Sequence, residues 1–359
     1  MLAELLTPDC IRNSFRSSHK KHLILTGGRK TGKTTLLSAL FPECAKGITT
    51  YAVPGKCVFL KENGTERTQQ IGIYDSALGG KENKMRPCRE GFLGLGISAL
   101  RSCTESEDEW ITVDEIGYLE TECPEYCEAL LSLMEKKRVA AVVRKQELPF
   151  LQSLCARDDV FLLDLDKPFG NIGCVIMASG LGKRFGGNKL MADFCGKPMI
   201  ERALLATDGI FAERAVVTRS EEVAAYCEKR GVRAILHTLP NRNDTVRLGL
   251  LAMAETDGCL FCPGDQPLLS RQTVASLALA ARNDKNCIFR PVCGETEGAP
   301  VLFPRSVYGE LLTLPEGKGG GAVIKKHPDL LCKISIDDPY ELMDADTPDQ
   351  LAFLLCREE

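Results

Sequence analysis

The 359-residue sequence has no apolar run approaching the roughly 20 residues of a membrane-spanning helix; its longest hydrophobic stretches are strand-sized. It has no excess of positive charge either. Its 45 Lys and Arg stand against 49 Asp and Glu, a formal net charge of −4, which argues against the basic field that nucleic-acid binding needs. Small phosphorylated ligands remain open, because they need only local cations. Internal repeats and low-complexity tracts are absent, and with 44% hydrophobic and 26% charged residues the composition leans neither to disorder nor to a fibrous class. The opening residues 1–16 carry acidic residues and a proline where a secretory signal has a basic segment and an apolar run. Cysteine is plentiful, but the 17 residues are odd in number and scattered through apolar runs, so reduced thiols are expected in place of a disulfide scaffold. Cys259 and Cys262 lie inside one apolar run with no second pair at zinc spacing, which favours core packing over metal binding. These features together predict a cytoplasmic protein with neither nucleic acid nor membrane as partner.

The length exceeds the usual size of one compact core, so two domains are expected. Short apolar runs alternate with longer amphipathic stretches in both halves, the pattern of βα units around a mostly parallel sheet, and hence of an α/β protein. The first half predicts strands at 22–25, 110–113, 139–143 and 160–163, helices at 33–40 and 124–136, and a β-hairpin insertion at 48–74 punctuated by Pro54-Gly55 and Asn63-Gly64. After Pro168-Phe169-Gly170 the pattern restarts, with strands at 174–178, 215–218, 233–237, 259–262 and 288–292. The boundary is placed there, giving domains 1–168 and 171–359.

Gly27-Gly28-Arg29-Lys30-Thr31-Gly32-Lys33-Thr34 fits G-x-x-x-x-G-K-[ST] between an apolar strand and a leucine-rich helix. Gly27 and Gly32 let backbone N–H groups turn inward around phosphates at a helix N-terminus, Lys33 reaches the β- and γ-phosphates, Thr34 ligates Mg, and Thr35 lies beside it. The bland reading is a plain glycine turn. The strand 110–113 ends in Asp114 and Glu115, which suit a water-mediated Mg contact and the orientation of an attacking water respectively. Read alone, such an acidic pair merely caps a strand.

In the second half the apolar run ending at Ala178 feeds Ser179-Gly180-Leu181-Gly182-Lys183-Arg184-Phe185-Gly186-Gly187-Asn188-Lys189, a G-x-G-x-R-F-G-x-x-K loop. Nucleotidyl transfer needs donors and cations around the α- and β-phosphates. Ala178, Gly180 and Gly182 are expected to bind nucleotide, and Arg184 and Lys189 to stabilise charge moving to the departing pyrophosphate. Downstream, Gly264-Asp265-Gln266-Pro267 follows a buried strand, at the edge where α/β sheets bind ligands. Asp265 is the expected Mg ligand and catalytic centre, against the alternative of a turn aspartate. Asp344-Ala345-Asp346-Thr347-Pro348 precedes an apolar helix; Asp346, with Asp344 nearby, either completes the metal shell or caps that helix.

Through Gly27 to Thr34 and Asp114-Glu115-Ile116-Gly117-Tyr118-Leu119-Glu120, residues 20–166 resemble the small P-loop nucleoside triphosphatases first known from thermophiles, which implies binding or slow hydrolysis of ATP or GTP. The loop 180–189, Asp265 and Asp346 together resemble the molybdenum-cofactor nucleotidyltransferases over residues 173–355. That resemblance implies a Rossmann-like (GT-A-like) domain that joins CTP or GTP to molybdopterin with release of pyrophosphate, and a molybdenum hydroxylase apoenzyme as a further partner. It also makes Asn243 and Thr245, within Asn241-Arg242-Asn243-Asp244-Thr245, contacts to base or ribose. Two departures leave specificity open: Gly298-Ala299-Pro300 replaces the G-H-P of the cytidylyl branch, and Ala178-Ser179-Gly180 matches neither A-A-G nor G-G, although Ala178 leans toward CTP. The leading expectation is a bifunctional, magnesium-dependent enzyme. A sugar-phosphate or polyol-phosphate nucleotidyltransferase, and a nucleotide-gated factor that delivers or inserts a cofactor, are the alternatives.

Overall fold

The computed structural model of the chain describes residues 5–41, 46–78 and 85–358. They form two units, His19–Pro168 and a second made of Met1–Ser18 with Phe169–Glu359. The expected first domain of residues 1–168 is therefore trimmed at its start. The cause is the helix Pro8–Ser17, N-capped by the Thr7 hydroxyl, which accepts the Cys10 N–H at 3.3 Å. Its apolar face buries Cys10, Ile11 and Ser14 against the helix Arg271–Asn283. There the Ser14 hydroxyl donates to the Ser276 carbonyl at 3.1 Å, and the Thr7 hydroxyl donates to the Gln272 side-chain oxygen at 2.9 Å. The His19–Pro168 unit is thus an insertion within the chain of the other.

In that unit the strands are β1 (His22–Thr26), β2 (Gly47–Val53), β3 (Cys57–Glu62), β4 (Thr68–Tyr74), β5 (Met85–Pro87), β6 (Trp110–Ile116), β7 (Arg138–Val143) and β8 (Val160–Asp164). The sheet order is β5-β4-β3-β2-β6-β7-β1-β8. From β2 to β8 all neighbours run parallel, while β2 to β5 form an antiparallel meander. The predicted hairpin is present and extends the main sheet, because Gly47 to Thr49 pair in parallel with Thr112 to Asp114. Gly47 permits that approach: a Cβ there would lie 2.2 Å from the Thr112 carbonyl oxygen. The interior strands β1 and β7 read as unbroken apolar runs because both faces are covered; Leu23 to Leu25 and Val139 to Val143 are all buried.

The second unit contains β9 (Ile172–Ala178), the small hairpin β10 (Asp193–Phe194) and β11 (Lys197–Pro198), β12 (Glu213–Thr218), β13 (Arg233–Leu236), β14 (Gly258–Pro263), β15 (Ile288–Cys293), β16 (Thr296–Glu297), β17 (Val301–Pro304) and β18 (Leu331–Ser335). The main order is β13-β12-β9-β14-β17-β15-β16, with β18 beside β15. β13, β12, β9 and β14 are parallel, and β17 reverses the direction. Met177 and Pro263 are register partners at the ends of β9 and β14. The loops that follow, 179–189 and 264–268, therefore start side by side at the carboxyl edge of the sheet. Among the described residues no helix is long and apolar enough to cross a membrane.

Candidate functional site

In the inserted unit, β1 runs directly into the glycine loop and the helix Lys33–Leu40. Gly27 has φ 142° and Gly32, which caps the helix, has φ 85°, so both occupy backbone conformations that side chains disfavour. Lys33 curls over its own loop: its ammonium donates to the carbonyls of Gly27 and Gly28 at 3.0 and 2.6 Å and to the Thr31 hydroxyl at 3.3 Å. Thr34 and Thr35 are exposed on the first helical turn. The Thr34 hydroxyl donates to the Asp114 carboxylate at 3.2 Å, which brings the two expected metal contacts together. Burial pushes the Asp114 carboxyl above its ordinary range.

Glu115 is placed differently from the expectation of a carboxylate free to orient water. Arg144, directly after β7, grips it with two donors, Nε to Oε1 and Nη2 to Oε2, the latter at 3.1 Å. The arginine stem also lies across Gly117, where a Cβ would come within 2.8 Å of Arg144 Cδ. Glu120 is buried, accepts the Gly117 N–H at 2.7 Å, and is pushed up to about 7 by desolvation.

In the larger unit the loop after β9 and the segments around Asp265 and Asp346 meet. The Lys189 ammonium donates to Asp265 at 2.5 Å and to Asp346 at 2.8 Å, and Arg184 donates to the second Asp346 oxygen at 2.5 Å. The Lys189 side chain is only 8% exposed, whereas Arg184 is 72% exposed. Lys189 is thus a fixed cation and Arg184 a movable one. Burial disfavours the Lys189 charge, but the Asp265 carboxylate and the hydrogen bonds to both aspartates outweigh it and raise the lysine's pKa. The Lys189 hydrogen bond, helped by Arg184, holds Asp346 below the usual carboxylate range. Chain geometry locks the arrangement, since the Ala345 N–H donates to the Asp265 carbonyl at 2.9 Å. Gly182, at φ 57°, folds the loop so tightly that a Cβ would lie 2.3 Å from the Gly187 carbonyl oxygen.

These groups share one cavity of about 830 Å³, which Gly180, Gly182, Arg184, Lys189, Thr245, Asp265, Asp344 and Asp346 line. Two expected nucleotide contacts stand apart from its lining. Ala178 is buried at the end of β9, and the Asn243 side-chain oxygen accepts the Gly317 N–H at 3.1 Å. Asp344 accepts from the Gln266 amide at 3.0 Å, and desolvation, with the Asp265 charge beside it, raises its carboxyl pKa.

The donor set suits a hard cation, because Asp265 and Asp346 offer carboxylate oxygens and already share the cationic Lys189 head between them. A three-carboxylate cage is a different matter: among the described residues no cluster of three His, Cys, Asp or Glu is arranged to hold a metal ion. Asp265 and Asp346 therefore form a two-carboxylate platform, with Asp344 turned to Gln266.

Sequence reasoning missed Arg144 in the inserted unit and, in the larger unit, Arg219, Arg242 and Arg290, which also line the cavity. Arg144, Arg219 and Arg290 are single arginines outside any motif, so only the fold reveals them, whereas Arg242 lies within the segment 241–245 and was passed over for its neighbours. The Ser179 hydroxyl donates to the Val217 carbonyl at 3.0 Å, leaving the His237 ring, 2.8 Å away, as donor to it. That pairing takes up the one side chain that departs from A-A-G.

Comparison with known proteins agrees with this division. Residues 174–330 match the family model of the MobA-like NTP transferase domain, and residues 22–169 match that of the NTPase family. A probable molybdenum cofactor guanylyltransferase of Natranaerobius thermophilus is 29% identical over 126 residues, covering 34% of this chain and 60% of that protein. A 3-deoxy-manno-octulosonate cytidylyltransferase of Syntrophus aciditrophicus is 29% identical over 162 residues, covering 40% of this chain and 65% of that protein. The chain thus spans less than two thirds of the length of either relative. A nucleotidyl transferase structure from Methanothermobacter thermautotroptrophicus aligns with TM-score 0.47 and 22% identity, covering 53% of this chain and 99% of that one.

Proposed function

We propose that this chain, in which an NTPase domain is inserted into a MobA-like NTP transferase unit, transfers a nucleotidyl group from CTP or GTP to a phosphorylated, molybdopterin-type acceptor and releases pyrophosphate. The observation that carries the proposal is the meeting of Arg184 and Lys189 with Asp265 and Asp346 in one cavity at the carboxyl edge of the parallel sheet. Magnesium held by Asp265 and Asp346 would supply Lewis-acid polarisation of the triphosphate. The amides of Gly180 and Gly182 approach the phosphates, Lys189 and Arg184 neutralise charge gathering on the leaving pyrophosphate, and Thr245 closes the nucleotide side of the cavity. The inserted unit binds ATP or GTP through Lys33 and Thr34, with Asp114 beside them.

The test is pyrophosphate release by purified protein with Mg, each NTP in turn, and molybdopterin. Release that requires acceptor and is lost in Asp265→Ala supports the reading; no release with any NTP ends it. The similarity to 3-deoxy-manno-octulosonate cytidylyltransferases favours a second reading with a sugar-acid acceptor. An acceptor screen with CTP separates the two.

A further inference from the structure

Glu115 follows Asp114, whose carboxylate accepts from Thr34 beside the glycine loop, and its own carboxylate is held by both Nε and Nη2 of Arg144. The two side chains are 29% and 37% exposed, so the pair is reachable from solvent and its partners are exchangeable. Its position is set by the sheet. β7 lies between β6 and β1, so Arg144 at the end of β7 stands between the acidic end of β6 and the loop that follows β1. The Arg144 backbone is pinned, since its N–H donates to the Ile116 carbonyl at 2.8 Å. Its stem has a track over Gly117 that any larger residue would block. β1 and β7 are parallel with Leu25 opposite Val142, so Arg144 and the loop that opens at Gly27 leave neighbouring strand ends. A fixed backbone, a solvent-reachable guanidinium and a carboxylate occupying one two-donor edge of it describe a cation held in reserve. A terminal phosphate is the ligand that competes best for it, because a guanidinium binds phosphate and carboxylate through the same two-pronged geometry.

We propose that Arg144 is the residue that distinguishes a nucleoside triphosphate from a diphosphate in the inserted unit: it leaves Glu115 and pairs with the terminal phosphate. The exchange has two consequences. It spends an ion pair to read the third phosphate, and it releases the Glu115 carboxylate into the site only when that phosphate is present. With a diphosphate bound, Arg144 stays on Glu115.

This rests on the reading of His19–Pro168 as a nucleotide-binding unit, and the experiment separates the two. Affinities of the full chain for ADP and for the imido analogue of ATP, and for the guanine pair, are measured by calorimetry with Mg, and the binding event that Lys33→Ala abolishes is the one assigned to the inserted unit. Wild-type protein that binds neither the diphosphates nor the triphosphate analogues overturns the nucleotide-binding reading and the proposal with it; where only the analogue binds, the detection limit for the diphosphate bounds the ratio. Where a diphosphate binds, the quantity that decides is the ratio of triphosphate-analogue to diphosphate affinity. In Arg144→Ala the ratio falls about tenfold or more, the value of one charge-assisted contact, with diphosphate affinity within twofold of wild type; Arg144→Lys restores part of it. In Glu115→Gln the ratio rises, because Arg144 is freed. In the double variant that rise disappears. A structural salt bridge predicts something else, equal loss for both nucleotides. A ratio unchanged in Arg144→Ala, or a Glu115→Gln effect of the same size with and without Arg144, overturns the proposal. Should Arg144→Ala fail to fold, Arg144→Gln takes its place, with the same tenfold fall expected.

Discussion

Replacing Lys189 with methionine keeps the stem of a side chain that is only 8% exposed and removes the charge between Asp265 and Asp346. Two opposite effects follow. For the metal, Lys189 is a competitor, since its ammonium sits at 2.5 and 2.8 Å from the two carboxylates. A unit charge about 4 Å from a divalent ion in water-like surroundings contributes about 2 kcal/mol of repulsion, or roughly thirtyfold in affinity. The water-like value is a lower bound, because Asp265 and Asp346 are only 23% and 26% exposed and partial burial strengthens the repulsion. Lys189→Met should therefore bind Mg or Mn at least about thirtyfold more tightly in the absence of nucleotide, as measured by calorimetry. For the reaction, Lys189 is an ally. Removing one preorganised donor from charge developing on the leaving group should lower the transfer rate by about 10² to 10³. Tighter metal binding with slower transfer is the signature. Equal metal affinity in the two proteins would show that lysine and metal do not contend for the same carboxylates, and undiminished transfer would remove Lys189 from the chemistry.

Two further outcomes are expected. Gly182→Ala forces a Cβ to within 2.3 Å of the Gly187 carbonyl at φ 57°, a strain of about 1–3 kcal/mol. The loop must reshape, so the KM for the nucleotide rises about tenfold while the thermal midpoint barely moves; an unchanged KM refutes the assigned loop role. Glu120 is raised to about 7 from 4.5 by burial, so the folded state holds a proton that the unfolded chain releases at lower pH. Stability of the inserted unit is fully present below about pH 4.5 and declines as pH rises toward 7, by about 3 kcal/mol from this group. Urea unfolding followed by the fluorescence of Trp110, the sole tryptophan, should show that slope, and Glu120→Gln should flatten it.

Much of this arrangement was legible from residue order. The strands 22–25 and 139–143 are apolar runs too short for helices, and they form adjacent interior strands of the inserted sheet. Lys189, Asp265 and Asp346 were legible because a phosphate-transfer site needs cations and carboxylates after buried strands, and motif spacing marks them. Arg144 and Arg290 were not, because a solitary arginine carries no spacing signal and its meaning depends on which strand lies beside its own. Of the two residues expected at base or ribose, Thr245 lines the cavity and Asn243 does not. Two residues apart on one helix point in different directions, and the Asn243 side-chain oxygen is taken by the Gly317 N–H. The helix Pro8–Ser17 was invisible as part of the second unit, since its partner lies far along the chain.

That partner has a consequence for biosynthesis. Ser14 and Ser276 touch although 262 residues separate them, and translation at about 5–20 residues per second places roughly 15–50 s between their appearances. During that interval the apolar flank carrying Ile11 has no surface to cover it, while the entire intervening sheet is made and can fold. The nascent protein thus completes its guest before its host, and a chaperone that shields the early helix should raise the yield of properly assembled protein.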